Sequence, residues 1–201
     1  AQIRDETGVT LSDLNLGGGY GVRYTQEDEA IDIPARLAEL AAYLKEETER
    51  LGLPMPRFLM EPGRSIVADA GMTLYTVGSV KRIPGYKQYA AVDGGMTDNP
   101  RYALYQSRYT VYHAHKSGSM ERFDVVGRCC ESGDIIQSGV ELPGDTCRGD
   151  ILAVCTTGAY NYSMASNYNR LPRPAVVMLT PDRIYEAVRR ETFADLTGLD
   201  L

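Results

Sequence analysis

The chain has 201 residues, and 21 Lys and Arg against 27 Asp and Glu leave a formal charge of −6. That balance lacks the clustered basic surface needed for a sequence-independent grip on nucleic acid, and no apolar run approaches the roughly 20 residues that span a bilayer as a helix. With 43% hydrophobic and 24% charged residues, the composition is that of a globular protein with a sizeable core, not of a disordered or collagenous chain.

The opening segment, AQIRDETGVTLSDL, has neither an initiator Met nor the basic and apolar regions of a signal peptide. It reads as the polar end of a helix already under way, which predicts the C-terminal part of a longer chain. Leu14, Asn15 and Leu16 then form a short apolar run that ends in Gly17-Gly18-Gly19-Tyr20-Gly21, a strand running into a glycine loop. From Pro34, apolar positions recur at Leu37, Leu40, Ala41, Leu44 and Leu51, one face of an amphipathic helix that Gly52 and Pro54 end. Arg57 to Met60 reads as the next strand, with Glu61-Pro62-Gly63-Arg64 at its C-terminal end. Strand, helix, strand predicts a parallel βαβ unit with its loops at the edge where α/β folds place ligands.

After about residue 70 the texture changes. Short segments rich in Val, Tyr and Thr recur at roughly 72–82, 87–93, 107–114, 122–128, 150–156 and 173–179, separated by Gly, Pro and Asp. That spacing predicts an antiparallel all-β sandwich or barrel. A terminal helix is expected with Thr180 as its cap, Pro181 in its first turn, and Ile184, Ala187 and Val188 facing inward.

Several clusters could carry chemistry. Successive N–H groups of the glycine loop suit a phosphate, although three glycines are equally compatible with a tight turn. The spacing is not that of a dinucleotide-binding fingerprint. Glu61 could meet a protonated ring nitrogen and Arg64 could take a phosphate or carboxylate with its fork, or the two could form a solvated turn. Cys129-Cys130-Glu131-Ser132-Gly133-Asp134 packs thiols, carboxylates and a hydroxyl after a β-like run. A thiol can serve as a proton donor at neutral pH, only one of two adjacent thiols can face a given side of a strand, and spacing does not say which. Arg101 and Tyr105 lie four apart, so a helical turn would set them on one face. Tyr160, in Gly158-Ala159-Tyr160-Asn161-Tyr162, offers a phenol beside a flexible turn. The four cysteines, Cys129, Cys130, Cys147 and Cys155, have no zinc-type spacing. With only His113 and His115 beside them, no metal site is expected, and free thiols point to the cytoplasm. The two histidines read as structural or solvated.

In this order, LGGGYG, EPGRS, DGGMTDNPRYALY, CCESGD and GAYNYSMASNYNR resemble the diaminopimelate decarboxylase family, pyridoxal-phosphate-dependent decarboxylases of the alanine-racemase-like fold. The resemblance runs from Leu14 to the final helix. It implies that residues 1–68 are the last βα units of a TIM-type (β/α)8 barrel and that residues 69–201 form the C-terminal β domain. It further implies pyridoxal 5'-phosphate as cofactor, with Gly19 presenting its N–H to the phosphate beside Gly63, and Glu61 pairing with the pyridine nitrogen. Arg64, Arg101 and Tyr105 would hold the distal carboxylate of the substrate, Tyr160 would touch cofactor and substrate, Cys130 would supply the proton that replaces carbon dioxide, and Glu131 would bind the distal ammonium. The resemblance also implies an obligate homodimer in which the Cys-Glu loop reaches the partner's site. The family's Schiff-base lysine and a stacking histidine lie upstream of the glycine loop. Lys45, Lys81, Lys87 and Lys116 match no motif, so this chain alone is expected to be inactive and to need its N-terminal half. The implied reaction is decarboxylation of meso-diaminopimelate to lysine. The alternatives are a decarboxylase of ornithine, arginine or a carboxylated polyamine precursor, and a non-catalytic, partner-binding relative.

Overall fold

The computed structural model describes all of residues 1–201. The chain divides into two compact units, Ala1–Arg23 with Glu27–Val67, and Tyr24–Gln26 with Ala68–Leu201.

In the first unit a short helix α1 (Gln2–Thr7) precedes β1 (Asp13–Asn15), α2 (Ile33–Arg50), β2 (Arg57–Leu59) and a single helical turn α3 (Arg64–Val67). β1 and β2 pair in parallel with Leu14 opposite Phe58, so the chain makes the βαβ crossover that its hydrophobic pattern predicted. Asp32 starts α2 by accepting the Ala35 N–H at 3.0 Å, with Pro34 in the first turn, where a missing N–H costs nothing. None of the five elements carries a buried residue, and Leu37 on the apolar stripe of α2 remains 36% exposed. That stripe has no covering layer within the unit.

The second unit is built on one six-stranded sheet. Its strands are β3 (Met72–Ile83), β4 (Lys87–Val92), β5 (Val111–His113), β6 (Met120–Val126), β7 (Ile135–Pro143) and β8 (Ile151–Cys155), and their order is β5-β8-β3-β4-β6-β7. A five-residue helix, α4 (Arg101–Tyr105), lies between β4 and β5. β3 serves two neighbours: Met72 to Thr76 pair with β8, and Val77 to Ile83 pair with β4 past an irregularity at Gly78. The first and last strands of the order touch, and the Gln137 side chain on β7 accepts the Tyr109 N–H ahead of β5 at 2.8 Å, so the sheet is a nearly closed barrel. Alternate residues point inward, as strand geometry requires. Tyr75 and Val77, Ala90 and Val92, Phe123 and Val125, and Leu152 and Val154 meet Ile136, Val140 and Leu142 in one core. Each fully buried aliphatic or aromatic side chain contributes about 1.5–3 kcal/mol. A histidine is structural here: the His113 ring is 2% exposed, its Nε2 lies 3.1 Å from Asp150, and its Nδ1 accepts the Lys116 N–H at 2.9 Å.

Three expectations are corrected. The sheet is mixed, because β4 and β6 pair in parallel, Ala90 opposite Val125. The long connection between them, through α4 and β5, has the length a parallel crossover requires. Ile184–Val188 is a strand, β10, paired antiparallel with β9 (Val176–Leu179), and not a helix. Thr180 closes the hairpin, its N–H donating to Arg183 O at 3.0 Å and its hydroxyl accepting from Arg183 N at 3.2 Å. Ile184, Tyr185 and Val188 favour an extended backbone. The terminal helix is α5 (Phe193–Thr197), with Thr192 and Asp195 in a capping box. Lastly, β7 lies outside the segments expected as strands, and Gln137-Ser138-Gly139 interrupts its apolar pattern. Asp124 satisfies that break by accepting from Ser138 Oγ at 2.5 Å and Gly139 N at 2.8 Å.

Candidate active site

In the first unit, β1 and β2 deliver the glycine loop and Glu61 to the same end of the parallel pair. The ladder continues past both strands, Leu16 N–H donating to Leu59 O at 3.0 Å and Glu61 N–H to Gly17 O at 2.7 Å. A Cβ on Gly18 would lie 2.2 Å from Glu61 O, so the two backbones can approach only at glycine. Gly17 and Gly19 adopt φ of 69° and 90°. Asn15 fixes loop and carboxylate together: its Oδ1 accepts the Gly17 N–H at 2.7 Å and its Nδ2 donates to Glu61 Oε1 at 2.6 Å. Gly18 and Gly19 donate their N–H groups to no acceptor in the chain, so they present a backbone nest that fits a phosphate. Gly63 is exposed and precedes Arg64, the half-buried first residue of α3.

In the second unit, α4 sets Arg101 and Tyr105 on one face, as their spacing predicted, and Tyr160 closes from the loop after β8. The Arg101 guanidinium carbon lies 5.2 Å from the Tyr105 ring centroid and 5.0 Å from that of Tyr160. Arg101 is only 7% exposed. Its Nη2 donates to Ser107 Oγ at 3.4 Å, its Nη1 faces the Met164 sulfur at 4.0 Å, and its Nε has no partner. No carboxylate forms an ion pair with it. A buried cation without a counter-charge is costly, and the two rings return only about 0.5–2 kcal/mol. Tyr109 and Asn161 lie alongside, joined at 3.5 Å, with Asn161 Nδ2 buried and unpaired. Burial pushes the Tyr109 phenol up while Arg101 opposes the shift. Tyr160 is held at φ 68°, a left-handed conformation costing of order 1–3 kcal/mol in a non-glycine residue, of the kind that clusters at ligand sites.

Cys129 to Asp134 form the turn between β6 and β7. Asp134, 4% exposed, accepts the Met96 N–H and the Cys129 N–H, each at 2.6 Å. A Cβ on Gly127 would lie 2.2 Å from its carboxylate, so glycine there makes room for it. This anchoring answers what spacing left open. The Cys129 side faces inward, its thiol pushed up by burial and by Asp134, whereas Cys130 is exposed. Cys130 N–H donates to Asn169 Oδ1 at 2.6 Å, and Tyr168 OH donates to Glu131 Oε2 at 3.2 Å. No hydrogen bond or ion pair joins Cys130 or Glu131 to Arg101. Sequence reasoning assigned no role to Ser107 and Tyr109, which lie in no motif, or to Asn161 and Met164, which lie in the same motif as Tyr160. It took Asp134 as one of several carboxylates and not as the scaffold of the turn.

The first unit thus carries a strand-end glycine nest beside an oriented carboxylate, and the second carries a buried arginine without a carboxylate partner and an exposed thiol. The family described as pyridoxal-dependent decarboxylase, C-terminal sheet domain, matches residues 15–158. The chain belongs to this family. A diaminopimelate decarboxylase of Bacillus subtilis (strain 168) is 48% identical over 200 residues, covering 98% of this chain and 45% of that protein. The solved diaminopimelate decarboxylase of M. jannaschii superposes with a TM-score of 0.91 at 32% identity, covering 100% of this chain and 45% of that one. Its co-complex with L-lysine gives 0.88 at 32% identity, with the same coverage. The chain thus spans about half the length of the relatives it matches. No helix is long and apolar enough to cross a membrane.

Proposed function

We propose that the full-length protein decarboxylates meso-2,6-diaminopimelate to L-lysine and carbon dioxide with pyridoxal 5'-phosphate. The observation that carries this reading is Arg101, buried between two tyrosine rings with no carboxylate partner. A guanidinium in that setting is built for an anionic group, and its fork suits a carboxylate. Diaminopimelate has a distal carboxylate to offer, whereas ornithine, arginine and lysine do not. The L-lysine held by the M. jannaschii relative is the product expected here.

The bound cofactor supplies a protonated pyridine ring that accepts the electrons released with carbon dioxide. The chain's residues bind and orient around it. Gly19 and its loop take the phosphate, with Gly63 beside it. Glu61, held by Asn15, keeps the proton on the ring nitrogen. Arg64, Arg101 and Tyr105 hold the distal carboxylate, Tyr160 covers cofactor and substrate, and Glu131 takes the distal ammonium. Cys130 Sγ delivers a proton to the substrate α-carbon after carbon dioxide departs.

The same reading makes residues 1–68 part of a TIM-type barrel, which agrees with a first unit lacking any buried residue, and residues 69–201 the C-terminal β domain. It places the protein in the cytoplasm, where its four free cysteines stay reduced. We assign no Schiff-base lysine: Lys45, Lys81, Lys87 and Lys116 lie in none of the motifs, and Lys87 is paired with Asp124 and Lys116 with Asp150. Catalysis then needs the remaining half of the enzyme, and a homodimer in which the Cys130–Glu131 turn serves the partner's site. The test is carbon dioxide release by the full-length protein with pyridoxal phosphate and meso-diaminopimelate, ornithine, arginine or lysine. Release from diaminopimelate alone supports the proposal, and release from a diamine precursor moves Arg101 to another task. Silence across the panel returns the non-catalytic reading.

A further inference from the structure

Two hydrogen bonds hold the Cys130–Glu131 turn from outside, and both come from consecutive residues of one segment. Tyr168 OH donates to Glu131 Oε2 at 3.2 Å, and Asn169 Oδ1 accepts the Cys130 N–H at 2.6 Å. The segment is itself tied down. Ser166 N–H donates to Thr97 O at 2.7 Å, and the Asn167 amide donates to Leu171 O at 3.1 Å and Glu191 Oε2 at 2.7 Å. Arg170 reaches Leu196 O at 3.1 Å and Asp200 at 2.7 Å. Asn169 and Arg170 both adopt left-handed backbone, at φ of 57° and 56°. Asparagine is among the few residues that take this conformation readily, and it turns the amide of Asn169 back onto Cys130.

Glu131 and Cys130 are exposed, and a free glutamate on a surface turn samples many rotamers, an entropy that ligand binding must then overcome. We infer that Tyr168 and Asn169 are positioning residues: Tyr168 orients the Glu131 carboxylate toward the distal ammonium of the substrate, and Asn169 fixes the backbone that presents the Cys130 thiol. The inference rests on the proposed roles of Glu131 and Cys130. It assigns the two functions to separate residues, and they separate in kinetics.

The experiment uses full-length enzyme loaded with pyridoxal phosphate, with meso-diaminopimelate compared against 2-aminopimelate, which keeps the distal carboxylate and lacks the distal ammonium. Tyr168→Phe removes one oxygen from a ring that is 44% exposed. It should raise KM for diaminopimelate about tenfold, the worth of one hydrogen bond to a charged group, with kcat nearly unchanged. KM for 2-aminopimelate should not move. In a Glu131→Gln background Tyr168→Phe should add nothing, as expected for two residues acting as one. Asn169→Gly keeps the left-handed backbone and deletes the acceptor, and should lower kcat on both substrates about tenfold. Asn169→Asp, which keeps the Oδ1 acceptor, should restore it. Equal effects of Tyr168→Phe on the two substrates, or no effect, overturn the role of Tyr168, and an unchanged kcat in Asn169→Gly overturns that of Asn169. Glu131→Gln and Cys130→Ala are the controls. If they are silent, the underlying assignments fail; if they respond while the other variants do not, the positioning alone fails.

Discussion

The guanidinium of Arg101 lies 5.0 Å from the ring centre of Tyr160, whose backbone is held at φ 68°. A buried cation without a carboxylate and a tyrosine in a costly conformation meet at one point. Both are destabilising in isolation, and both become understandable if the protein is arranged around an anion that it does not itself provide.

Arg101→Met should therefore separate function from stability. Removing the buried charge that has no carboxylate partner in favour of an apolar side chain should leave stability equal or raise it by about 1 kcal/mol, a Tm gain of at most about 2 °C for an enzyme roughly twice the length of this chain. KM for diaminopimelate should rise about a hundredfold through loss of charge-assisted hydrogen bonds. Thermal melts and steady-state kinetics on the full-length enzyme check the two halves together. A large loss of stability would mean that Arg101 is structural.

Gly18→Ala should damage cofactor binding. The new Cβ would sit 2.2 Å from Glu61 O, so either the phosphate loop or the Glu61 backbone must shift. We expect affinity for pyridoxal phosphate to fall at least about tenfold, equivalent to about 1.4 kcal/mol and within the cost of overpacking. Fluorescence titration of the apoenzyme measures it. Affinity equal to that of the unaltered protein would remove the loop from the cofactor site.

The two adjacent thiols should respond differently. Cys130→Ala should slow turnover by about a hundredfold or more, the usual loss when a proton donor is removed, with cofactor binding intact. Cys129→Ala, on the inward side of the turn, should change kcat little. The reverse pattern would make Cys129 the donor.

Acid should loosen the segment behind Tyr168. Glu191, whose side chain is 16% exposed, accepts from Arg173 Nε at 2.7 Å, Arg173 N at 2.8 Å and Asn167 Nδ2 at 2.7 Å. Bonding to Arg173 above all lowers its pKa from 4.5 to about 2. A carboxyl with a depressed folded-state pKa stabilises fully above its unfolded value, and the contribution is lost as pH falls through the folded one. Circular dichroism should show stability declining between about pH 4.5 and about pH 2. Glu191→Gln should be less stable at neutral pH and flatter across that interval. An identical acid limb in the variant would assign the decline to other carboxylates, such as Asp195, also held well below the usual range by Arg189.

Much of this was legible in the amino-acid order. The αβ rhythm from Leu14 to Arg64 rests on local rules, a 3.6-residue stripe, Pro34 in the first turn and glycines at strand ends, so the βαβ unit could be read directly. The four-residue spacing of Arg101 and Tyr105 likewise placed them on one helical face. Ile184, Ala187 and Val188 recur at helical spacing and so pointed to a helix, and pairing with Val176–Leu179 overrode that local signal to make a strand. β7 was invisible because the group that satisfies its polar break, Asp124, lies on a neighbouring strand.

The sequence by itself determined which chemical groups are present and, in the βαβ unit, where the local elements start and stop, because turns and hydrophobic periods act over a few residues. The tertiary structure decided which of those groups are buried, paired or exposed. Arg101 is unpaired because no carboxylate folds next to it, and Cys130 faces out because Asp134 holds the Cys129 N–H inward. Those are properties of neighbours distant in the chain, and burial and charge pairing act through space and not along the backbone.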